Sequence, residues 1–399
     1  MSRRVVITGV GAVTPLGVGA GRSLERWVDG ESGIEDGLGR CDDFEATDFL
    51  SKKEVRRSDR FTQLTLAAAQ EALAQAGFDD GLPMDSERVG CVVATGVGGL
   101  ATIEDAHDVL REKGPQQVPP QTVPMLMPNA GAGALTLRYG LHGPSHSMGS
   151  ACATGIDAIG QAARLIRAGE VDAVVTGGAE AGLTELARAA FQAMEATSPS
   201  GISRPFDARR DGFVMGEGAG VLVIEDAETA AQRGQEALGE VLGFGASSDA
   251  HHMTAPEPEG IGASRAIANA LEAAGVEPDE LDYINAHGTS TPLNDRAETL
   301  AIERALGDAA SRVPVSSTKS VVGHLLGGAG TVEAIVTVLA LREGVIPPTV
   351  GWEEREEGMD LDYVPEARPL EPKNEDGAIA ISNAFGFGGH NAVVCLKVP

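Results

Sequence analysis

The feature that most limits what this chain can fold into is its alternation of short β-branched runs with long helical patterns. Residues 3–11, RRVVITGVG, read as a strand, and 59–77 as a helix stopped by Gly77. A second strand is expected over 88–96, and helix 155–170 feeds strand 171–180. Strands 218–226 and 237–249, helix 262–275, strand 281–289 and helix 292–307 continue the alternation. Helix 331–344 and strands 377–386 and 391–398 complete it. Strands that are apolar at consecutive positions need cover on both faces, and the intervening helices supply it. The expectation is therefore an α/β fold built on largely parallel sheet. A chain of 399 residues outgrows one small core, so two packed halves are expected, 1–240 and 241–399. A faint internal echo agrees: Asp157-Ala158-Ile159 and Leu165 recur, 176 positions on, as Glu333-Ala334-Ile335 and Leu341. The proline-rich stretch 114–128 reads as a loop or cap within the body.

Composition removes several classes of function. The net charge of −27 repels phosphates and argues against nucleic-acid binding. No apolar run approaches the ~20 residues of a membrane span, and the start, Met-Ser-Arg-Arg, does not resemble a signal peptide. A cytoplasmic protein is the expectation. Four cysteines, Cys41, Cys91, Cys152 and Cys395, show no CxxC pairing, so neither a disulfide framework nor a zinc site is expected. The segment GVGAVTPLG (9–17) lacks the third glycine of a dinucleotide fingerprint and places Pro15 where a helix should run. No GxxxxGK[ST] loop occurs, and no metal or cofactor is expected.

Four stretches remote from one another share a style, with reactive side chains among glycines where a strand ends. They are GSACATG (149–155), NAHGTSTPLND (285–295), STKSVVGHLLGGAG (317–330) and NAFGFGGHN (383–391). Sites in α/β sheets form at the carboxyl ends of strands, so these stretches are natural suppliers of site residues. Each residue alone has an ordinary reading. Cys152 is a small hydrophobe ahead of a helix, His287 a satisfied core histidine, Lys319 a solvated lysine, and Phe385 and Phe387 are packing. Together, a thiol, two histidines and a lysine offer a nucleophile and hydrogen-bond donors. A thiol at a helix N-terminus is also favoured as thiolate by the helix dipole.

Taken in order, these motifs, with VVITGVGAVTPLG near the start and SRPFDARRDGFVMGEGAG (203–220), resemble the type II 3-oxoacyl-[acyl-carrier-protein] synthases, condensing enzymes of fatty-acid synthesis. The resemblance spans nearly the whole chain. It implies a thiolase-like fold, two pseudo-duplicated α/β halves in a five-layered αβαβα body, normally a homodimer. It implies that Cys152 takes the acyl chain from a carrier-protein thioester. His287 and His324 then promote decarboxylation of the malonyl thioester, with Lys319 behind them paired to Glu333. Asp295 and Glu298 fall on the family's acidic positions, and the Cys152 and Phe387 N–H groups on its oxyanion hole. Phe385 and Phe387 match its gating aromatics, and Ile103 its acyl-pocket lining. Lys53, Arg56 and Arg57, in the one dense basic cluster, match its docking site for acyl carrier protein. His390 stands where the family usually has threonine, and His251 and His252 fall in a loop near the entrance.

Alternatives differ at named positions. A degradative thiolase needs a second catalytic cysteine, and Cys395 lies deep in the last strand. An initiating synthase uses Cys-His-Asn, and a cysteine hydrolase does not need the second histidine and lysine. A non-catalytic chain-length subunit would lack Cys152, whereas a polyketide ketosynthase would share all of this chemistry.

Overall fold

The computed structural model describes residues 3–78 and 80–399. Its central strands are β1 (Val5–Thr14), β2 (Val89–Ala94), β3 (Ser145–His146), β4 (Ala173–Glu180), β5 (Gly218–Asp226) and β6 (Gly239–Ser248). They continue with β7 (Tyr283–Asn285), β8 (Pro314–Ser316), β9 (Asp362–Tyr363), β10 (Ala378–Gly386) and β11 (His390–Val398). Helices α1 (Lys52–Val55), α2 (Arg60–Gln75), α3 (Leu100–Lys113), α4 (Ala130–Tyr139) and α5 (Thr154–Arg167) belong to the first part of the chain. They are followed by α6 (Glu185–Ala193), α7 (Ile261–Ala274), α8 (Pro292–Leu306) and α9 (Ala329–Glu343).

The strand order is β9-β8-β7-β10-β11-β6-β1-β5-β4-β2-β3. Outward from β1, the pairings are antiparallel to β5, antiparallel to β4, then parallel to β2 and β3. Outward from β6 the same series recurs, antiparallel to β11 and β10, then parallel to β7 and β8. Antiparallel β1 and β6 join the two series. The pseudo-duplicated α/β arrangement is therefore visible in hydrogen bonding alone. Helix α2 covers β1 and β5 from outside, α7 covers β6 and β11, and α5 and α9 touch strands of both series. The result is the five-layered αβαβα body.

Sequence explains the middle layer. Helix α9, AGTVEAIVTVLALRE, is buried without interruption from Ala329 to Val338. A helix buried on almost every side is stable only when enclosed, here between the two strand series. The two segments of the internal echo are α5 and α9, which lie side by side. They meet at Gly155, where a Cβ would stand 2.6 Å from the Thr331 amide nitrogen.

Three expectations change. The sheet is not largely parallel: the five central pairings, β10–β11, β11–β6, β6–β1, β1–β5 and β5–β4, are antiparallel, and only the outer ones are parallel. The strand expected over 281–289 stops at Asn285, because the amides of 287–290 donate to carboxylates of α8 rather than to a neighbouring strand. The stretch 114–128 is a cap containing a helical turn, Thr122–Leu126, held between α3 and α4, two helices the apolar periodicity did not reveal. Among the described residues no helix is long and apolar enough to cross a membrane.

Gly155→Ala should test the middle layer. The added methyl overpacks a backbone contact and should cost about 1–3 kcal/mol, read as a lower urea midpoint at unchanged slope.

Candidate active site

Cys152 sits in a 3-10 turn, Ala151–Ala153, that runs directly into α5. Ala151 holds φ 51, a left-handed conformation costing about 1–2 kcal/mol for a residue with a Cβ, so its surroundings must hold the turn. Two contacts do so. Ser150 N–H donates to Thr154 Oγ1 at 2.9 Å, and the Ser150 hydroxyl donates to Asp157 in the first turn of α5. Gly386, ending β10, lies so close that a Cβ there would stand 2.6 Å from Ser150 O and 2.9 Å from Cys152 N. The glycine thus lets the last sheet segment touch the nucleophile turn. Burial pushes the Cys152 thiol up to about 12, opposed by the Lys319 ammonium and a hydrogen bond from Phe387 N–H. The resting sulfur is a thiol; Lys319 and the Phe387 N–H favour its anion, while burial and the Glu180 and Glu333 charges disfavour it.

His324 Nε2 lies 3.0 Å from Cys152 Sγ, although 172 residues separate them. Its backbone is pinned by two bonds to the 203–220 segment, His324 N to Val214 O at 2.7 Å and Gly216 N to His324 O at 2.9 Å. Leu326 N–H donates to His324 Nδ1 at 3.3 Å. An amide only donates, so Nδ1 carries the lone pair and Nε2 the proton. The His287 ring stands 5.4 Å from that of His324, nearly perpendicular to it. Cys152, His287 and His324 each offer an atom within 4.8 Å of the others, the compact cluster expected of a shared site. Such a cluster could also suit a metal, but the proton on His324 Nε2 points at the sulfur where a ligand would present a lone pair. Burial first, and the Lys319 charge second, lower both imidazoles well below their usual value, so both are neutral.

Behind the rings lie buried carboxylates. Glu298, on α8, accepts from His287 N–H at 2.8 Å, Gly288 N–H at 2.7 Å and Asn383 Nδ2 at 3.1 Å. Burial raises it to about 7 while these donors pull it down. Asp295, one turn earlier, accepts from Phe206, Thr289 and Ser290 N–H at 2.8, 2.9 and 3.1 Å. Burial raises it too, against the opposing charge of Arg210. Lys319 and Glu333 form a fully buried ion pair, and burial raises Glu333 against the pull of that ammonium.

The cluster opens into a cavity of about 560 Å³ whose lining includes Phe385, Phe387, Thr289, Thr291, Met194 and Leu293. Phe385 meets His287 edge-on at 5.8 Å, and Phe387 is half-buried at the wall. Asp249, Thr254, Ala255 and Pro256 bring the loop of His251 and His252 to the wall. His390 is exposed on β11 and outside the lining. Ile103 also lies outside it. It is 40% exposed on the first turn of α3, so within one chain this residue does not form the acyl pocket. Lys53, Arg56 and Arg57 stand exposed at α1, whose capping box pairs Ser51 with Glu54. Among the described residues none of the three has an ion pair. Sequence reasoning missed Phe213, which meets His324 edge-on at 5.4 Å, and Glu180 on the cavity wall. Phe213 lay within a quoted motif; Glu180 gave no signal, being one carboxylate at the end of an apolar strand.

This fold, with a thiol and two neutral imidazoles at its centre, defines a condensing enzyme of the thiolase-like type. The N-terminal domain of beta-ketoacyl synthase matches residues 39–230 and its C-terminal domain 238–353, and the chain belongs to the beta-ketoacyl synthase family. It is 43% identical to the 3-oxoacyl-[acyl-carrier-protein] synthase 2 of Synechocystis sp. and to that of Staphylococcus aureus, over 99% of this chain and 98% of each relative. A beta-ketoacyl synthase from Burkholderia phymatum superposes with a TM-score of 0.90 at 34% identity, covering 100% of both chains. The ketosynthase complex AntDE:AntF, a type II PKS acyl-carrier protein with its ketosynthase bound to the hexaketide, also gives 0.90, at 30% identity and 100% coverage of both.

Glu298 supplies a pH test. As the pH falls through about 7 it takes up a proton, and its new O–H then faces only donors, leaving one N–H without an acceptor. Turnover should therefore decline on the acid side around pH 7. Glu298→Gln should lower the plateau about tenfold and flatten that limb in a rate–pH profile.

Proposed function

We propose that this chain elongates acyl groups by decarboxylative Claisen condensation of malonyl-[acyl-carrier-protein], yielding 3-oxoacyl-[acyl-carrier-protein], CO2 and free carrier protein in fatty-acid synthesis. The 3.0 Å contact between Cys152 Sγ and the proton-bearing Nε2 of His324 carries this reading. In the first step Cys152 sulfur attacks the acyl thioester, the carrier thiol leaves, and the Cys152 proton ends on it. The Cys152 and Phe387 N–H groups steady the tetrahedral oxyanion, each such donor being worth about 2.7–4 kcal/mol in related chemistry. In the second step the malonyl C–C bond breaks and its electron pair enters an enolate, whose oxygen receives donors from His287 and His324. Neutral imidazoles suit this role, since an imidazolium would pair with the malonyl carboxylate and hold back its loss as CO2. The enolate carbon then attacks the acyl carbonyl, and Cys152 leaves as thiolate and is reprotonated. Lys319, Glu333, Asp295 and Glu298 hold the two histidines; Phe385 and Phe387 gate the cavity. The division at 240/241 would give each half its share, the thiol from one and both imidazoles with Lys319 from the other.

The partner is acidic, and so is this chain, so attraction must be local, within a Debye length of ~8–10 Å. Lys53, Arg56 and Arg57, without an ion pair among the described residues, fit a docking patch. A second copy of this chain fits exposed apolar side chains on packed elements at one end of the sheet: Ile103 and Leu110 on α3, Val123 on the turn packed against it, and Leu137 on α4, which packs on edge strand β3. Ile103 would join an acyl pocket only across that dimer. Four buried free thiols suit a reducing, cytoplasmic setting. The presence of Cys152 favours a catalytic subunit over a chain-length partner.

Intact-mass spectrometry with acyl-carrier protein should reveal an acyl adduct on Cys152. Addition of malonyl-carrier protein should discharge it as a product two carbons longer, and Cys152→Ala should give no adduct. An adduct that water alone discharges would point to a hydrolase. Reversing charge at Arg56 and Arg57 should raise KM for acyl-carrier protein about tenfold or more and leave a small acyl thioester nearly unaffected. Equal loss with both substrates would remove docking from α1.

A further inference from the structure

Resting on the condensing role above, we infer that Glu180 is a positioning residue that keeps the imidazole proton of His324 on Nε2. Glu180 ends β4, is 1% exposed and forms part of the cavity wall. Its Oε1 accepts from Thr95 Oγ1 at 2.8 Å and Val97 N–H at 3.3 Å; its Oε2 accepts from Gly96 N–H at 2.8 Å and Gly327 N–H at 3.1 Å. Thr95 Oγ1 itself accepts from Gly98 N–H at 3.1 Å, which commits the threonine proton to Glu180. Four donors converge on one side chain, a setting that fits only a carboxylate. Burial raises its pKa, against the pull of these four donors.

The bond to Gly327 links this residue to the chemistry. Gly327 lies in the turn Leu326–Gly328 that follows His324 and opens α9. Leu326 holds φ 49, a left-handed conformation, so the turn needs an outside restraint. Its N–H is the donor that keeps a lone pair on His324 Nδ1, and among the described residues no other hydrogen bond reaches that nitrogen. The backbone bonds of His324 to Val214 and Gly216 fix where the ring is attached, not which nitrogen bears the proton. Were the turn to relax, the Leu326 N–H would swing away and the proton could move to Nδ1. A bare Nε2 would then face the sulfur. It could accept the thiol proton but could not donate to an enolate oxygen.

The test is Glu180→Gln in the full-length enzyme, with the two half-reactions measured separately. Decarboxylation of malonyl-carrier protein should fall about tenfold, while acylation of Cys152 holds or quickens. Nitrogen-15 NMR of histidine-labelled protein should show His324 protonated on Nε2 in the wild type and shared between both nitrogens in the variant. Equal loss of both half-reactions, or a His324 signal unmoved by Glu180→Gln, would overturn the assignment. If Glu180→Gln does not fold, Thr95→Val removes one donor from Oε1 and should shift the ratio of the half-reactions about twofold or more the same way; an unchanged ratio would overturn it. The NMR reading involves no substrate. A wild type that decarboxylates nothing would defeat the condensing role while leaving the tautomer result to stand or fall separately.

Discussion

Buried carboxylates that accept backbone N–H groups hold the centre of this molecule in shape. Glu298 takes the amides of His287 and Gly288, Asp295 those of Phe206, Thr289 and Ser290, and Glu180 those of Gly96, Val97 and Gly327. Loops that leave a sheet carry amides with no strand to pair with, and an unpaired buried amide costs about 1–3 kcal/mol. A carboxylate that takes two or three of them satisfies the loop and is itself satisfied. Removing water strengthens each such bond, so the same burial that raises these acids makes their donors hold them firmly.

The same dryness sets the state of the reacting groups. Lys319 and Glu333 enter it as a pair, because either alone would be an uncompensated charge. The remaining positive field, together with burial, keeps both imidazoles neutral. Neutral imidazoles gathered beside one thiol suit a reaction whose charge is anionic and short-lived. The thiol follows a parallel logic, protonated at rest yet beside the Phe387 amide and the start of α5.

Most elements were legible in the sequence because enclosed strands and amphipathic helices leave periodic apolar patterns. Helix α2, strand β5 and strand β10 lie within two residues of where that pattern puts them. Helices α3, α4 and α6 were not legible; α6 buries only Ala187, so its apolar side has no clear period. The strand expected through His287 failed for a different reason. Its apolar run is genuine, but the carboxylates of α8 compete for its amides, and such competition is a contact between segments. Ile103 matched a motif position yet lies outside the cavity of a single chain, since matching a position does not fix what covers it.

Local pattern, then, determined that this would be a layered α/β body with a cysteine ahead of a helix and histidines at loop ends. Those features follow from periodicity and residue type, which are properties of neighbours along the chain. Only the tertiary structure decided that Cys152 and His324 come within hydrogen-bond reach, which imidazole nitrogen bears the proton, and that Glu180 belongs to the site. Hydrogen bonds are directional and short-ranged, and burial is collective. Both depend on which distant segments share one enclosed volume, a quantity no stretch of sequence contains by itself.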